Sequence, residues 1–551
     1  MRRISATLLL SLGLLAAAPP STWSSGGMVS SDHKLAAAIG AEVLSAGGNA
    51  ADAVVATALA AGVAQPAGSG LGGGGFAVLG SSGEEAMESL TVIDFREIAP
   101  AASHPRIFQD ENGEVVPGLS TKGGLAVGVP GEGRGLAQLV REHGALTLQQ
   151  VAEGAARLAE EGFIPGAHLI RAFERNPLQG LFLNGTPTRG ARVLRPRLGA
   201  TIRAWAATEG EALNVGPIAE EIASTVQESG GVLTAQDLAD YQPTVREPLV
   251  GSYRGYTVVT MPPPSSGGVV LLQALAVLEQ HDLAALGHGS SEHLHLLAET
   301  FKHAYADRAA HMGDPAFVEV PVERLLSDER IAEVSAAFDP ERTLPLEAYG
   351  ELIAPTPDDG THHISVLDAN GMAASLTTTI NTSFGSEVVT PNSGLLLNNE
   401  MDDFISKPGV PNAFGLVGRE ANQVEPGKKP LSSMTPTILY RDGSPAIVVG
   451  GSGGPFIISS TLQAISNVVD FGMSPEEALS APRMHHQWVP ELLFVDEGTP
   501  RDVIANLESR GHTIREMPFF SAVQLIQRTD EGLFGAADPR KGGGAAAAEA
   551  R

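Results

Sequence analysis

Asn370-Gly371 stands between two runs of β-branched and small residues, 361–368 and 373–379. An Asn-Gly pair flanked in this way is the strongest short-range signal for a β-hairpin. Taken as a two-residue turn, it pairs 369 with 372 and carries Thr361 opposite Ile380, flanked by Thr379 and Asn381. A hydroxyl at the start of one strand is thereby expected beside a hydroxyl and an amide on its neighbour. The chain must build its core around that pair of strands.

Alternation continues beyond the hairpin, with strands expected at 393–397, 437–440 and 446–449, then a long helix at 453–469 and a short one at 474–479. Before it, residues 35–63 read as two helices separated by Gly47-Gly48, the second capped by Asn49 and Ala-rich enough to be buried on all sides. A glycine run at 68–75 leads into strands at 76–80 and 91–95, and residues 124–349 read as mostly helical. The pattern is an α/β chain with sheets between helical layers. At 551 residues it has the length of two or three domains or one large one.

Composition removes several classes of function. A formal charge of −27 without a Lys/Arg run argues against nucleic acid. The absence of cysteine excludes disulfides, thiolate catalysis and Cys-ligated metals. Met1-Arg2-Arg3, an apolar stretch from Ile4 to Ala18 and the small residues Ala16-Ala17-Ala18 read as an export signal over about residues 1–25, for a periplasmic or secreted protein. No later stretch holds the ~18–20 apolar residues that span a bilayer. The Gly/Ala-rich end, Lys541 to Arg551, is expected to fray.

Three local patterns compete for attention. Gly68-Ser-Gly70-Leu-Gly72-Gly73 fits a dinucleotide fingerprint but follows a helix and precedes a strand, the reverse of the required context, so a turn pressed against other backbone is expected. Gly450-Gly-Ser452-Gly-Gly454 fits a nucleophile elbow between strand and helix, with His485, His486 and His512 downstream, which keeps a serine hydrolase in competition. His295, Glu299, His303, Asp307 and His311 recur every fourth residue, but a 3.6-residue helix turns at most three toward one ion, so a polar helix face is expected and no metal site is assigned.

Thr361 offers a third chemistry. A threonine hydroxyl needs a base beside it. If the Gly360–Thr361 bond is cut, at the small Asp359-Gly360 loop, the new α-amine is that base, with a reference pKa of about 7.7–8.0.

Around Thr361 the residues Thr361-His-His-Ile-Ser-Val-Leu-Asp, Thr379-Ile-Asn-Thr-Ser-Phe-Gly385, Leu397-Asn-Asn-Glu-Met-Asp-Asp-Phe404, Pro430-Leu-Ser-Ser-Met-Thr-Pro436 and His485-His-Gln-Trp488 resemble the γ-glutamyltransferase (γ-glutamyl transpeptidase, glutathione hydrolase) family. Gly47-Gly-Asn-Ala-Ala-Asp-Ala53, Asp94-Phe-Arg-Glu97 and Ala306-Asp-Arg308 extend the resemblance over nearly all of the chain. The resemblance implies an N-terminal-nucleophile hydrolase with an αββα sandwich, cut into a large subunit, 26–360, and a small one, 361–551. It implies Thr361 as nucleophile, Thr379 as its hydrogen-bonding partner, and Gly453 and Gly454 as oxyanion donors. Arg96, Ser432 and Ser433 would hold the α-carboxylate of a γ-glutamyl group, and Asn381, Glu400 and Asp403 its ammonium. The implied partners are glutathione, other γ-glutamyl compounds and amino-acid or peptide acceptors, with no cofactor. Residues 407–415 resemble the family's lid loop, with Phe414 where many bacterial members carry tyrosine. A glutaryl- or cephalosporin-type acylase, and an uncleaved γ-glutamyl-binding protein, are the alternatives.

Overall fold

The computed structural model describes residues 20–83, 86–350, 360–517 and 521–549. Residues 1–19 of the expected leader and Asp359 of the expected cleavage loop lie outside them. Two seven-stranded antiparallel sheets stack face to face. The first runs Gly544–Ala547, Met28–Ser31, His362–Leu367, Ala373–Thr379, Gly74–Gly80, Thr91–Asp94, Thr244–Arg246. The second runs Ser21–Ser24, Gly532–Ala537, Ala522–Thr529, Ser444–Ser452, Thr437–Arg441, Tyr256–Thr260, Leu249–Tyr253. Ser21–Ser24, inside the stretch read as leader, is thus an edge strand.

Each layer follows from its residues. Asn49 accepts the N–H groups of Ala51 and Asp52, while the Asp52 carboxylate accepts the Asn49 N–H at 2.9 Å, a reciprocal cap that starts the helix Ala50–Ala64. All of that helix is buried, because it lies between the first sheet and an outer helical layer. The helices Gly267–Leu278, Ser291–His311 and Phe456–Val469 cover the second sheet. Between the sheets, Phe76, Val78, Val259, Ile438, Val448 and Ile526 form an apolar layer. Toward the head of the hairpin this layer becomes polar. His363 shares a hydrogen bond of 2.8 Å with Thr377, and Ser365 and Ser375 donate across to the Gln524 and Val449 carbonyls, both at 3.1 Å. Burial pushes His363 down to about 3, so its ring is neutral. Gly450 leaves room for that ring: a Cβ there would lie 2.3 Å from His363 Cε1.

One expectation is refined and three are corrected. Residues 124–349 are mostly helical, but they also contain three strands, Thr244–Arg246 and Leu249–Tyr253 at sheet edges and Tyr256–Thr260 one strand in from the edge. Their exposed Val245 and Val250 and the Gly251 break obscured the alternation. Residues 393–397 form a loop with one bridge, Val389 to Leu396. The long helix begins at Phe456, because Gly453 and Gly454 sit at φ +124° and +56°, outside helical geometry. Residues 541–549 are not frayed: Gly544–Ala547 pairs with Met28–Ser31, and small residues are what permit the approach, a Cβ on Gly543 falling 2.6 Å from the Ser31 carbonyl.

Candidate active site

The hairpin turns through three residues, not two. Asp368 N–H donates to the Met372 carbonyl and Gly371 alone has positive φ, +88°, so Ala369-Asn370-Gly371 is the loop. A two-residue Asn-Gly turn needs positive φ at both positions. The Asp368 carboxylate prevents that by accepting the N–H groups of Asn370 (2.8 Å) and Met372 (3.0 Å), while its other oxygen accepts Ala50 N–H. The register becomes His362 opposite Thr378, one residue from the expected pairing. The correction brings Thr361 to Thr379 itself, their hydroxyl oxygens 3.3 Å apart. Thr379 Oγ1 also accepts the Asn381 N–H at 2.8 Å, so its own proton is free to point at Thr361.

Thr361 stands at φ +136°, in a region that β-branched residues avoid. Only glycine fits before it: a Cβ on Gly360 would lie 1.7 Å from the Asn381 carbonyl oxygen. The glycine run at 68–75 is a tight backbone junction beneath the same strands, as its order of helix and strand implied. A Cβ on Gly73 would fall 1.9 Å from the Thr379 carbonyl.

Thr361 opens on a cavity also lined by Arg96, Thr379, Asn381, Glu400, Asp403, Ser432, Ser433 and Gly454. Nine of the ten site residues expected from sequence therefore share one chamber. The tenth, Gly453, lies one residue behind, packed toward Ser521. Both glycines precede the first turn of Phe456–Val469, where backbone N–H groups have no intrahelical acceptor. Phe414 roofs the chamber, close enough that a Cβ on Gly454 would lie 2.6 Å from its ring. Leu416, Met434, Pro455 and Ile457 complete the walls and carry no signal in the sequence. Nothing in an apolar side chain marks such a position.

Arg96 is not an open clamp. Its guanidinium, 1% exposed, donates to Glu400 and, at 2.5 Å, to Asp403, with Glu97 at 3.9 Å. A buried cation requires buried counter-charges, so the two acids expected to await an ammonium neutralise Arg96 instead. Three carboxyls nevertheless surround one guanidinium. Burial pushes Glu400 and Asp403 upward against the opposing pull of Arg96, and Glu97 rises to about 8 for the same reasons. Glu400 Oε2 and Ser433 Oγ are buried without a hydrogen-bond partner. Among the described residues, the chamber thus has Arg96 as its positive pole, an excess of acid and polar atoms left unpaired.

The competing motifs lead elsewhere. Ser452 donates to Asp32 at 2.6 Å and accepts from Lys541 at 2.7 Å, in the second sheet, while the His485 ring bonds Ser459. The helix Ser291–His311 is a buried polar face, not a solvated one. His295, Glu299 and His512 converge within 4.8 Å. Most of their atoms are already engaged: His295 bonds His512 Nε2 at 2.7 Å, and Glu299 accepts Lys302 at 2.8 Å as well as Thr343 and Tyr349, which leaves His512 Nδ1 without a partner among the described residues.

A family model described as Gamma-glutamyltranspeptidase matches residues 36–548. The glutathione hydrolase proenzyme of Escherichia coli (strain K12) is 39% identical over 528 residues, covering 93% of this chain and 90% of that one. That of Bacillus subtilis (strain 168) is 38% identical over 548 residues, covering 94% and 91%. Among solved structures, a cephalosporin acylase from Bacillus halodurans matches with TM-score 0.84 at 28% identity over 98% of this chain and 99% of that one. The gamma-glutamyltranspeptidase of Helicobacter pylori matches with TM-score 0.54 at 36% identity over 57% and 92%. The stacked sheets and their helical covers are the αββα sandwich of an N-terminal-nucleophile hydrolase. With a family match over nearly its whole length and relatives of this similarity, the chain belongs to the gamma-glutamyltranspeptidase family.

Proposed function

We propose that the chain is an exported proenzyme that cuts itself at Gly360–Thr361 and then acts as a γ-glutamyltransferase and glutathione hydrolase. The observation that carries this is the placement of Thr361, with its hydroxyl 3.3 Å from Thr379 and its backbone at φ +136°, on the wall of the Arg96–Glu400–Asp403 chamber. In maturation, Thr361 Oγ attacks the Gly360 carbonyl carbon, the C–N bond breaks and the nitrogen takes the hydroxyl proton. Water then hydrolyses the ester, leaving a Gly360 carboxylate and a free Thr361 amine and hydroxyl. The torsion held at φ +136° ceases to exist once the bond is cut, and release of strain of about 1–3 kcal/mol favours the step.

In turnover, the α-amine of Thr361 accepts the hydroxyl proton as Oγ attacks the γ-carbonyl of the donor. Thr379 orients Oγ, and the N–H groups of Gly453 and Gly454 meet the developing oxyanion. The amine returns its proton to the leaving nitrogen. The γ-glutamyl ester then passes to water, or to the amine of an amino acid or peptide. Recognition exchanges partners within the cluster: the substrate carboxylate takes up Arg96 with Ser432 and Ser433, and the acids it displaces, Glu400 and Asp403, close with Asn381 on the ammonium. The large and small chains remain one heterodimer, because residues 28–31, 74–80 and 91–94 share a sheet with 362–379 and 544–547.

A glutaryl acylase is the second reading, favoured by the cephalosporin acylase match. A glutaryl donor lacks the ammonium that Glu400 and Asp403 suit. Side-by-side hydrolysis of γ-glutamyl and glutaryl anilides separates the two readings. Preference for the γ-glutamyl compound, abolished in T361A, supports the transferase, and preference for the glutaryl compound overturns it.

A further inference from the structure

Behind Thr361 is a second, small cavity lined by Asp32, Gln65, His168, Gly360, Thr361 and Lys541, among others. Lys541 is 5% exposed, and its ammonium donates to the Thr361 carbonyl at 3.3 Å and to Ser452 at 2.7 Å. It lies just before Gly544–Ala547, whose pairing with Met28–Ser31 fixes it beside the strand that Thr361 leads. Asp32 Oδ2 stands 3.8 Å from the ammonium, beyond hydrogen-bond range, and that carboxylate is shared with Ser452 (2.6 Å) and Gln524 (2.5 Å). The nitrogen and carbonyl oxygen of one residue are less than about 4 Å apart, which places the Lys541 charge within about 7 Å of the Thr361 nitrogen.

We propose that Lys541 is a positioning residue that keeps the α-amine of mature Thr361 in its neutral, proton-accepting form, with Asp32 as the opposing charge that tempers it. The inference rests on the reading above, in which Thr361 becomes a chain end. A cation at this distance disfavours a second cation on the amine, which would otherwise be largely protonated at neutral pH. Other charged groups around the rear cavity are Asp538, which bears on Asp32 and is itself paired with Arg483 and Arg540, and Arg171 and Arg175, which bear on His168; none of them changes in the variants below. Burial drives His33 down to about 4, His168 to about 3 and His362 well below its ordinary value, so their rings are neutral. Asp32 is pushed up to about 6 by burial and is ionised above that pH. On the substrate side, Arg96 faces Glu400 and Asp403, and none of the three changes in the variants below.

The test is the pH dependence of kcat/KM for a γ-glutamyl anilide, with the chain pattern on a denaturing gel recorded for each protein. K541M moves the acid limb up by about one pH unit, K541R leaves it in place, and D32N moves it down by about half a unit. Opposite shifts from two neighbouring variants are not produced by a packing defect. Coincident acid limbs, or shifts of the same sign in K541M and D32N, overturn the proposal. Where K541M fails to mature, D32N decides alone: a downward limb supports the proposal and an unmoved one overturns it. A wild-type protein that yields no chain headed by Thr361 refutes the parent reading instead.

Discussion

Asp403→Asn removes one negative charge from the substrate chamber and leaves the shape of the side chain unchanged. In the free protein Asp403 accepts Arg96 at 2.5 Å and Asn412 Nδ2 at 3.3 Å, with a side chain only 11% exposed. If Asp403 receives the substrate ammonium, the substitution replaces a hydrogen bond between two ions with one between an ion and a neutral amide. The difference is about 1.5–3 kcal/mol, or roughly ten- to a hundredfold in kcat/KM. Some of any loss comes from the disturbed Arg96 pairing, which every substrate feels. A γ-glutamyl anilide and a glutaryl anilide share the scissile amide and the carboxylate, and they differ in the ammonium alone. Steady-state kinetics of both substrates on wild type and D403N therefore isolates the contact. The γ-glutamyl/glutaryl ratio of kcat/KM should fall at least tenfold. An unchanged ratio, whatever the absolute activities, refutes the assignment of Asp403 to the ammonium.

Three further outcomes follow from the geometry. T379A should slow both maturation and turnover at least tenfold, with T379S restoring most of each in a gel time course and an anilide assay, because the 3.3 Å contact needs only the hydroxyl. G450A should lower the urea midpoint by an amount equivalent to about 1–3 kcal/mol, since its Cβ would meet the His363 ring at 2.3 Å in a layer with no space to yield. Acid should destabilise the fold: burial holds His363 at about 3, His485 at about 3 and His303 at about 4, against about 6.5 in an unfolded chain, so the unfolded state binds protons first. The stability these rings contribute is fully present above about pH 6.5 and declines as pH falls toward 3, so the urea midpoint should hold at pH 7–8 and drop below 6.

Much of this arrangement is legible in the sequence because its local signals agree with its global ones. The Asn49 cap, the Ala-rich helix behind it and the hairpin at 370–371 each follow from short-range chemistry, and all three pack on one another. The one-residue error in register arose because the Asn-Gly preference was outweighed by a side chain: Asp368, by binding two turn amides, selects the longer loop. The C-terminal strand was illegible for a different reason. Its Gly and Ala residues have low strand preference and are there because backbones pass closely, which no local rule reports. Arg96 shows a third limit. The family resemblance implies a carboxylate clamp, but a buried guanidinium requires counter-charges and takes Glu400 and Asp403, partners more than 300 positions away. Lys541 and Asp32 were silent in sequence for the same reason, being brought to Thr361 only by the pairing of the first and last strands of the sheet.

The most direct measurement is N-terminal sequencing, with intact mass, of the chains present after expression. A smaller chain beginning Thr-His-His-Ile-Ser, with a larger one ending at Gly360 and neither formed in T361A, is the predicted result. A single uncut chain, or a cut at any other bond, contradicts the role given to Thr361.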